Sequence, residues 1–341
     1  MKTGLYILSI LFLSLVACDK DIEKDLDVNV QAYAEGAEMI DGTLVVKKST
    51  PVTFQIDGDA DFVTFFNGEG GHMYDRKDMT ELPAGAISSK LSCTFKTQYG
   101  STAENTFHVY LSTSFAGLSK SDKELDIATI NSTDWKDITE QCKLPKSAND
   151  TQYGEKGISS VEVPLDEYLE ASSLTIAFLY HIKDDKIRPR WEVRKMKVVT
   201  TDIESGSISE LPAGTIGFSA FHEWADGNNV YTTVTNNTAG RWNLVNILNV
   251  GNDFMMGIHP GNANKTPNDP LHKSWLISNP IVLRTYEPDK GEVIKTITSA
   301  LNKYTHTYEK AGNYKASFIF VNENYQYRKE CVKHINIKVI E

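Results

Sequence analysis

Val52-Thr53-Phe54-Gln55-Ile56-Asp57-Gly58-Asp59-Ala60-Asp61-Phe62-Val63-Thr64-Phe65-Phe66-Asn67-Gly68 carries the pattern that decides the fold. Val52, Phe54 and Ile56 alternate with polar neighbours, and Asp57-Gly58-Asp59 then turns the chain. Phe62–Phe66 is a second apolar run, closed by Asn67-Gly68-Glu69-Gly70-Gly71. Successive side chains of an extended strand point to opposite faces, so alternation of this kind predicts a strand with one face in a core. Two such runs with an Asp-Gly turn between them predict two successive β-strands.

The same period recurs outward from this stretch. Further strands are expected near residues 91–96, 106–111, 174–180, 191–199, 242–246, 254–258 and 274–283, separated by Gly, Asn, Asp and Pro clusters. Helical periodicity is scarce, and only residues 166–171 suggest a helical turn. Many short strands between turn signals predict sandwiches.

At the C-terminal end, Tyr304, His306 and Tyr308 alternate, Gly312 turns the chain, and Ala316, Phe318 and Phe320 alternate again before a final strand at 334–340. These look like the closing strands of an immunoglobulin/PKD-like domain whose opening strands lie some 250 residues upstream, around 44–67. The expected fold class is therefore all-β: an immunoglobulin/PKD-like sandwich of residues 31–87 with 289–341, interrupted by a jelly-roll-like β-sandwich of residues 88–288. The phrase Glu81-Leu82-Pro83-Ala84-Gly85 returns as Glu210-Leu211-Pro212-Ala213-Gly214, but its flanks do not align, so duplication is not inferred.

The N-terminal residues read as an export signal, residues 1–17. Lys2 supplies positive charge, 5–15 is an apolar run too short to span a bilayer, and Leu15-Val16-Ala17-Cys18 has the order of a lipoprotein processing site. An ordinary signal peptide with a chance cysteine is the competing reading. Residues 18–30 then form an acidic linker, solvated by its charge, with Cys18 as the lipidation site. Of the other cysteines, Cys93 and Cys331 share strand parity with apolar residues and are expected buried. Cys142 lies among polar residues and is expected exposed; whether any two of the three pair is left open.

Asp and Glu number 45 against 35 Lys and Arg, a net charge of −10, which disfavours nucleic acid as a partner. No Cys or His spacing suggests a metal site. Asp57, Asp59 and Asp61 lack the bidentate Glu of a calcium loop, so no metal or cofactor is expected.

Gly58 to Tyr74, Leu111-Ser112-Thr113-Ser114-Phe115-Ala116-Gly117, Thr133-Asp134-Trp135-Lys136-Asp137-Ile138-Thr139, Ile176-Ala177-Phe178, Trp191-Glu192-Val193 and Trp275-Leu276-Ile277-Ser278-Asn279-Pro280 occur in this order. Together with Pro288 to Lys295 they resemble a Bacteroidetes lipoprotein family whose shared domain is named only as uncharacterised. The resemblance implies an accessory lipoprotein of SusC/SusD-type glycan uptake, similar to the surface glycan-binding proteins SusE and SusF. It implies a glycan and a SusC/SusD-type importer as partners, and a place at the cell surface, anchored by lipid in the outer membrane.

Sugars present flat C–H faces and many hydroxyls, so their sites combine an aromatic platform with Asn, Asp or Arg. The best local match is 218–265. Trp224 and Tyr231 flank a Gly/Asn-rich loop with His222, Asp226 and Asn228, and Trp242-Asn243 follows a second loop. Ligand-binding candidates are therefore Trp224, Tyr231, Trp242, His222, Asp226, Asn228 and Asn243, although core packing is the favoured reading for Trp242. Trp135, Trp191 and Trp275 are expected in cores. Arg188 and Arg190 suit an acidic sugar, although a solvated strand edge is the favoured reading. The acid pairs Asp166/Glu167 and Glu223/Asp226 are the only catalytic candidates, and no nucleophile or metal-hydrolase motif accompanies them. A non-enzymatic binding protein is the leading expectation. A structural or adhesive subunit, and less favourably a glycan hydrolase, are the alternatives.

Overall fold

Residues 52–68 form the expected pair of strands, Pro51–Gly58 and Phe62–Phe66, with Val52, Phe54, Ile56, Val63 and Phe65 buried. The computed structural model describes residues 25–99, 102–183, 188–244, 255–260 and 271–341. Cys18, the export signal and the first part of the acidic linker lie outside these residues, as do parts of 218–265. The fold is all-β, with four sheets. The chain divides into two compact units: one runs up to Met79 and resumes at Glu287–Glu341, the other is Thr80–Tyr286. Residues 80–87 belong with the larger unit, where Leu82 and Ile87 enter the core and Glu81 bridges Thr285.

In the smaller unit Pro51–Gly58 sits between Val28–Tyr33 and Lys303–Thr307. The second sheet runs in the order Glu292–Lys295, Phe62–Phe66, Gly312–Glu323, Arg328–Ile340, Thr43–Lys47, Glu38–Ile40. All its pairs are antiparallel except Arg328–Ile340 with Thr43–Lys47. Phe54, Phe65 and Phe318 meet between the sheets, with ring centroids 4.7–5.4 Å apart. Gly68 has φ +83°, and a Cβ there would fall 2.7 Å from the Lys315 backbone nitrogen, so the turn after Phe66 requires glycine.

The larger unit is a second sandwich of antiparallel sheets. One orders Phe218–His222, Lys273–Ser278, Thr175–His181, Phe107–Ser112 and Lys136–Asp137. The other orders Trp242–Asn243, Met255–Ile258, Arg190–Asp202, Ile87–Gln98 and Ile158–Pro164, with Ile208–Pro212 also on Arg190–Asp202. Phe95, Phe107, Phe178, Trp191 and Trp242 fill the space between them.

Three expectations need correction. A ten-residue helix, Lys123–Ser132, lies where no helix was expected. Its apolar side is only Ile127, Ile130 and a few neighbours, too narrow to show as a period. Its legible signal is the Asp122 cap, whose carboxylate accepts the Leu125 N–H at 3.0 Å. Residues 166–171 supply only the short turn Asp166–Tyr168. Cys142 is fully buried, because its N–H bonds back to Ile138 and Thr139 and the turn folds it inward while Glu140, Gln141 and Lys143 stay out. Burial lifts its thiol pKa to about 12. Cys331, expected in the core, is only partly buried.

Candidate functional site

The loops after Phe218–His222 separate the seven sequence candidates into three groups. Trp242 is fully buried, with its indole N–H donating to the Ser274 carbonyl at 3.4 Å, so it is a core residue and not a ligand platform. His222 is likewise buried, paired with Ser274 Oγ at 3.0 Å and the Thr232 carbonyl at 3.1 Å. Burial lowers its pKa to about 4 and leaves it neutral. Core packing is the favoured reading of Trp242 from sequence; His222 is not expected inside, since the edge strand Phe218–His222 is only five residues long and its parity does not show which side the core lies on.

Tyr231 donates to Asp126 Oδ2 at 2.7 Å and packs on Phe221. That bond ties the loop to the helix Lys123–Ser132 and makes Tyr231 a structural strut. Asp126 is fully buried and also accepts the Ser119 and Lys120 N–H groups.

Trp224 remains partly exposed. Its indole N–H donates to Ser274 Oγ at 2.9 Å, and His272 packs on it with centroids 4.6 Å apart. The Arg241 guanidinium lies over the ring, 5.7 Å from its centroid, held by Asn229 Oδ1 and Thr232 Oγ1. The ring is therefore fixed in orientation, with one face under a cation. Asp226 and Asn228 are exposed nearby in sequence, and Asn243 is half-buried.

The arginines depart from expectation. Arg190–Asp202 is no edge strand, being paired on both sides, so its charges are not solvated edge charges. Arg190 and Arg194 clasp the buried Glu192 at 2.7 Å each. Arg188 is buried with Nη1 3.4 Å from His272 Nδ1, while its Nε and Nη2 have no hydrogen-bond partner. One acid of each pair is engaged in structural bonds. Asp166 accepts from Ser88 Oγ and from the Ser89 N–H, and Glu223 binds Lys273 at 2.8 Å and the Trp275 indole N–H at 2.7 Å.

Trp191 and Trp275 are buried as expected, and Trp135 is partly so, stacked on Trp275 at 5.9 Å. Where the strand Lys136–Asp137 leaves the sheet, a cleft of about 850 Å³ opens, lined by residues that include His108, Asp137 and Tyr153. None of these was singled out from sequence. They lie far apart along the chain, and no motif joins them.

Sandwich architecture in both units, with polar side chains and a cleft concentrated in the larger, defines an all-β protein of β-sandwich class. The chain belongs to the family DUF5017, a domain of unknown function, whose profile matches residues 17–218. No curated protein matches the chain. The cleft falls inside the matched residues and the Trp224 loop beyond them.

Proposed function

We propose that this chain binds a polysaccharide or oligosaccharide without cleaving it, at the cell surface, for import by a SusC/SusD-type system. The carrying observation is Trp224, an indole locked by two hydrogen-bonded neighbours yet partly exposed. A guanidinium already occupies one of its faces, which marks that face as able to receive a flat partner. A sugar ring would take that place, with Arg241, Asn228 and Asp226 available for its hydroxyls. Fixing the aromatic in advance lowers the entropic cost of binding. The structural engagement of Glu223 and Asp166 favours capture over hydrolysis. Affinity electrophoresis through gels containing a panel of glycans tests the reading. Trp224→Ala is expected to weaken the retardation that the unaltered chain shows, and an unchanged retardation would remove the loop as the site.

Lipidation of Cys18 and the surface location belong to the same proposal, supported by the residue order at 15–18 and the acidic stretch that follows. Labelling with a fatty-acid analogue should mark the chain and not Cys18→Ala. A structural or adhesive role is favoured by one feature, the edge strand Glu38–Ile40 with Met39 and Ile40 exposed. Co-purification with an importer, without glycan retention, would select that role.

A further inference from the structure

The cleft at the edge of the five-stranded sheet has a local cause. The edge strand Lys136–Asp137 is only two residues long, pairing with Leu111 and Tyr110. Beyond it the ladder continues by substitution. The Ile138 N–H reaches the Val109 carbonyl at 2.9 Å, and the Thr139 hydroxyl, in place of a strand carbonyl, accepts the Val109 N–H at 3.0 Å. Asp137 Oδ1 holds the Thr139 N–H at 2.8 Å and fixes that turn. The chain then leaves the sheet and returns only where Lys146 O accepts the Ala103 N–H at 2.7 Å. Phe107 and His108, paired on their other side with Tyr180 and Leu179, are thus left without a neighbouring strand on this one, and the uncovered edge becomes the wall of a cavity of about 850 Å³. That volume is within the range of about 300–1,000 Å³ usual for small-ligand sites.

The floor is apolar, with Phe107, Ile138, Leu144 and Pro145. The rim is polar and electrically balanced: Glu104, Asp137 and Glu140 face Lys136, Lys143 and Lys146. A balanced rim gives no net field to draw in a polyanion or a polycation. Much of it is unused. Among the described residues, the side chains of Lys136, Glu140, Gln141, Lys143 and Tyr153 make no hydrogen bond, whereas Glu104 and Lys146 approach at 3.5 Å. Burial pushes the His108 imidazole below its ordinary value, and its ring stacks on Tyr110 with centroids 6.0 Å apart. Apolar floor, aromatic Tyr153 at the margin, and free donors and acceptors of both kinds match the two surfaces of a pyranose, its C–H face and its hydroxyl edge.

The geometry points to this cleft as a second saccharide site, selective for neutral oligosaccharide and separate from the Trp224 loop. It rests on the reading that the chain binds saccharide, but not on the loop being where it does so.

Calorimetric titration of the purified chain with malto-, cello-, xylo-, manno- and laminarihexaose, and with hexagalacturonate as the charged comparison, tests it. Tyr153 and Glu140 hold no structural bond, so Tyr153→Ala/Glu140→Ala leaves the fold intact, checked by the melting curve; Asp137, which fixes the turn, is left unaltered. The expected result is binding of a neutral hexasaccharide that Tyr153→Ala/Glu140→Ala weakens at least tenfold and that survives in Trp224→Ala. The same ligand should shift the His108 imidazole resonances. Wild-type affinity in the cleft variant, with loss in Trp224→Ala, would overturn the cleft and leave the loop standing. Equal or tighter binding of hexagalacturonate in the cleft would overturn the neutral class. Silence of the unaltered chain towards every hexasaccharide would overturn both sites.

Discussion

The two sandwiches bury different chemistry. The smaller is held by close-packed hydrocarbon, with Phe54, Phe65, Phe318 and Phe320 inside and a Tyr308 hydroxyl reaching the Asn67 carbonyl at 2.9 Å. The larger buries aromatics as well, but alongside them it hides His222, His272, Arg188, Glu192 and Asp126 at 0–2 % exposure, whereas the ionisable groups buried in the smaller, Arg76, Asp289 and Lys295, keep 5–9 %. A hydrocarbon core costs little to keep dry. A buried ionisable group must be neutralised or bonded, and most of these are. The comparison teaches that the smaller unit is organised as a frame. The larger one has placed polar groups where a ligand site needs them, at some cost in stability.

All five tryptophans, at 135, 191, 224, 242 and 275, fall in the larger unit, so indole fluorescence follows its unfolding alone. The largest effect is expected from Phe318→Ala, which empties the middle of the Phe cluster and costs about 3–5 kcal/mol. Hydrogen exchange of Gly312–Glu323 should accelerate while the indole transition stays in place. A matching shift of that transition would show that the two units do not unfold separately.

Acid comes next. Burial holds both His222 and His181 at about 4 against an ordinary 6.5, so the unfolded chain binds more protons than the folded one. Stability of the larger unit is then full above about pH 6.5 and declines as pH falls towards about 4. For His222, the more deeply buried, the loss approaches roughly 3 kcal/mol. Urea midpoints read by fluorescence at pH 7 and pH 4.5 measure it, and His222→Gln should flatten the slope.

Tyr231→Phe removes a hydrogen bond to a buried carboxylate and should cost about 2 kcal/mol in the same fluorescence transition. An unchanged midpoint would deny Tyr231 its role as a strut. The smallest effect is the most discriminating. Arg188→Met exchanges a guanidinium with two unbonded nitrogens for hydrocarbon, so stability should stay level or rise by about 1 kcal/mol. Clear destabilisation would mean that the guanidinium contributes through its one contact, with His272.

Residues 52–68 show how much can be read without coordinates. Their alternation, turn and glycines specify two strands because those preferences act between chain neighbours. The repeated Glu-Leu-Pro-Ala-Gly phrase behaves similarly: both prolines cap a helical turn, Ala84–Ala86 and Ala213–Ile216. Of the candidate site, Trp224 and the strut Tyr231 stayed partly exposed and rigidly placed, while Trp242 and His222 lie in the core.

Sequence by itself determined the all-β class and the strand-forming runs, since side-chain period and turn chemistry are local properties of the chain. Tertiary structure alone decided which aromatics are covered, why Cys142 is inside, and where a cleft opens. Those outcomes depend on what packs against a strand's second face and on where a sheet edge stops, and neither is written in the residues of the strand itself.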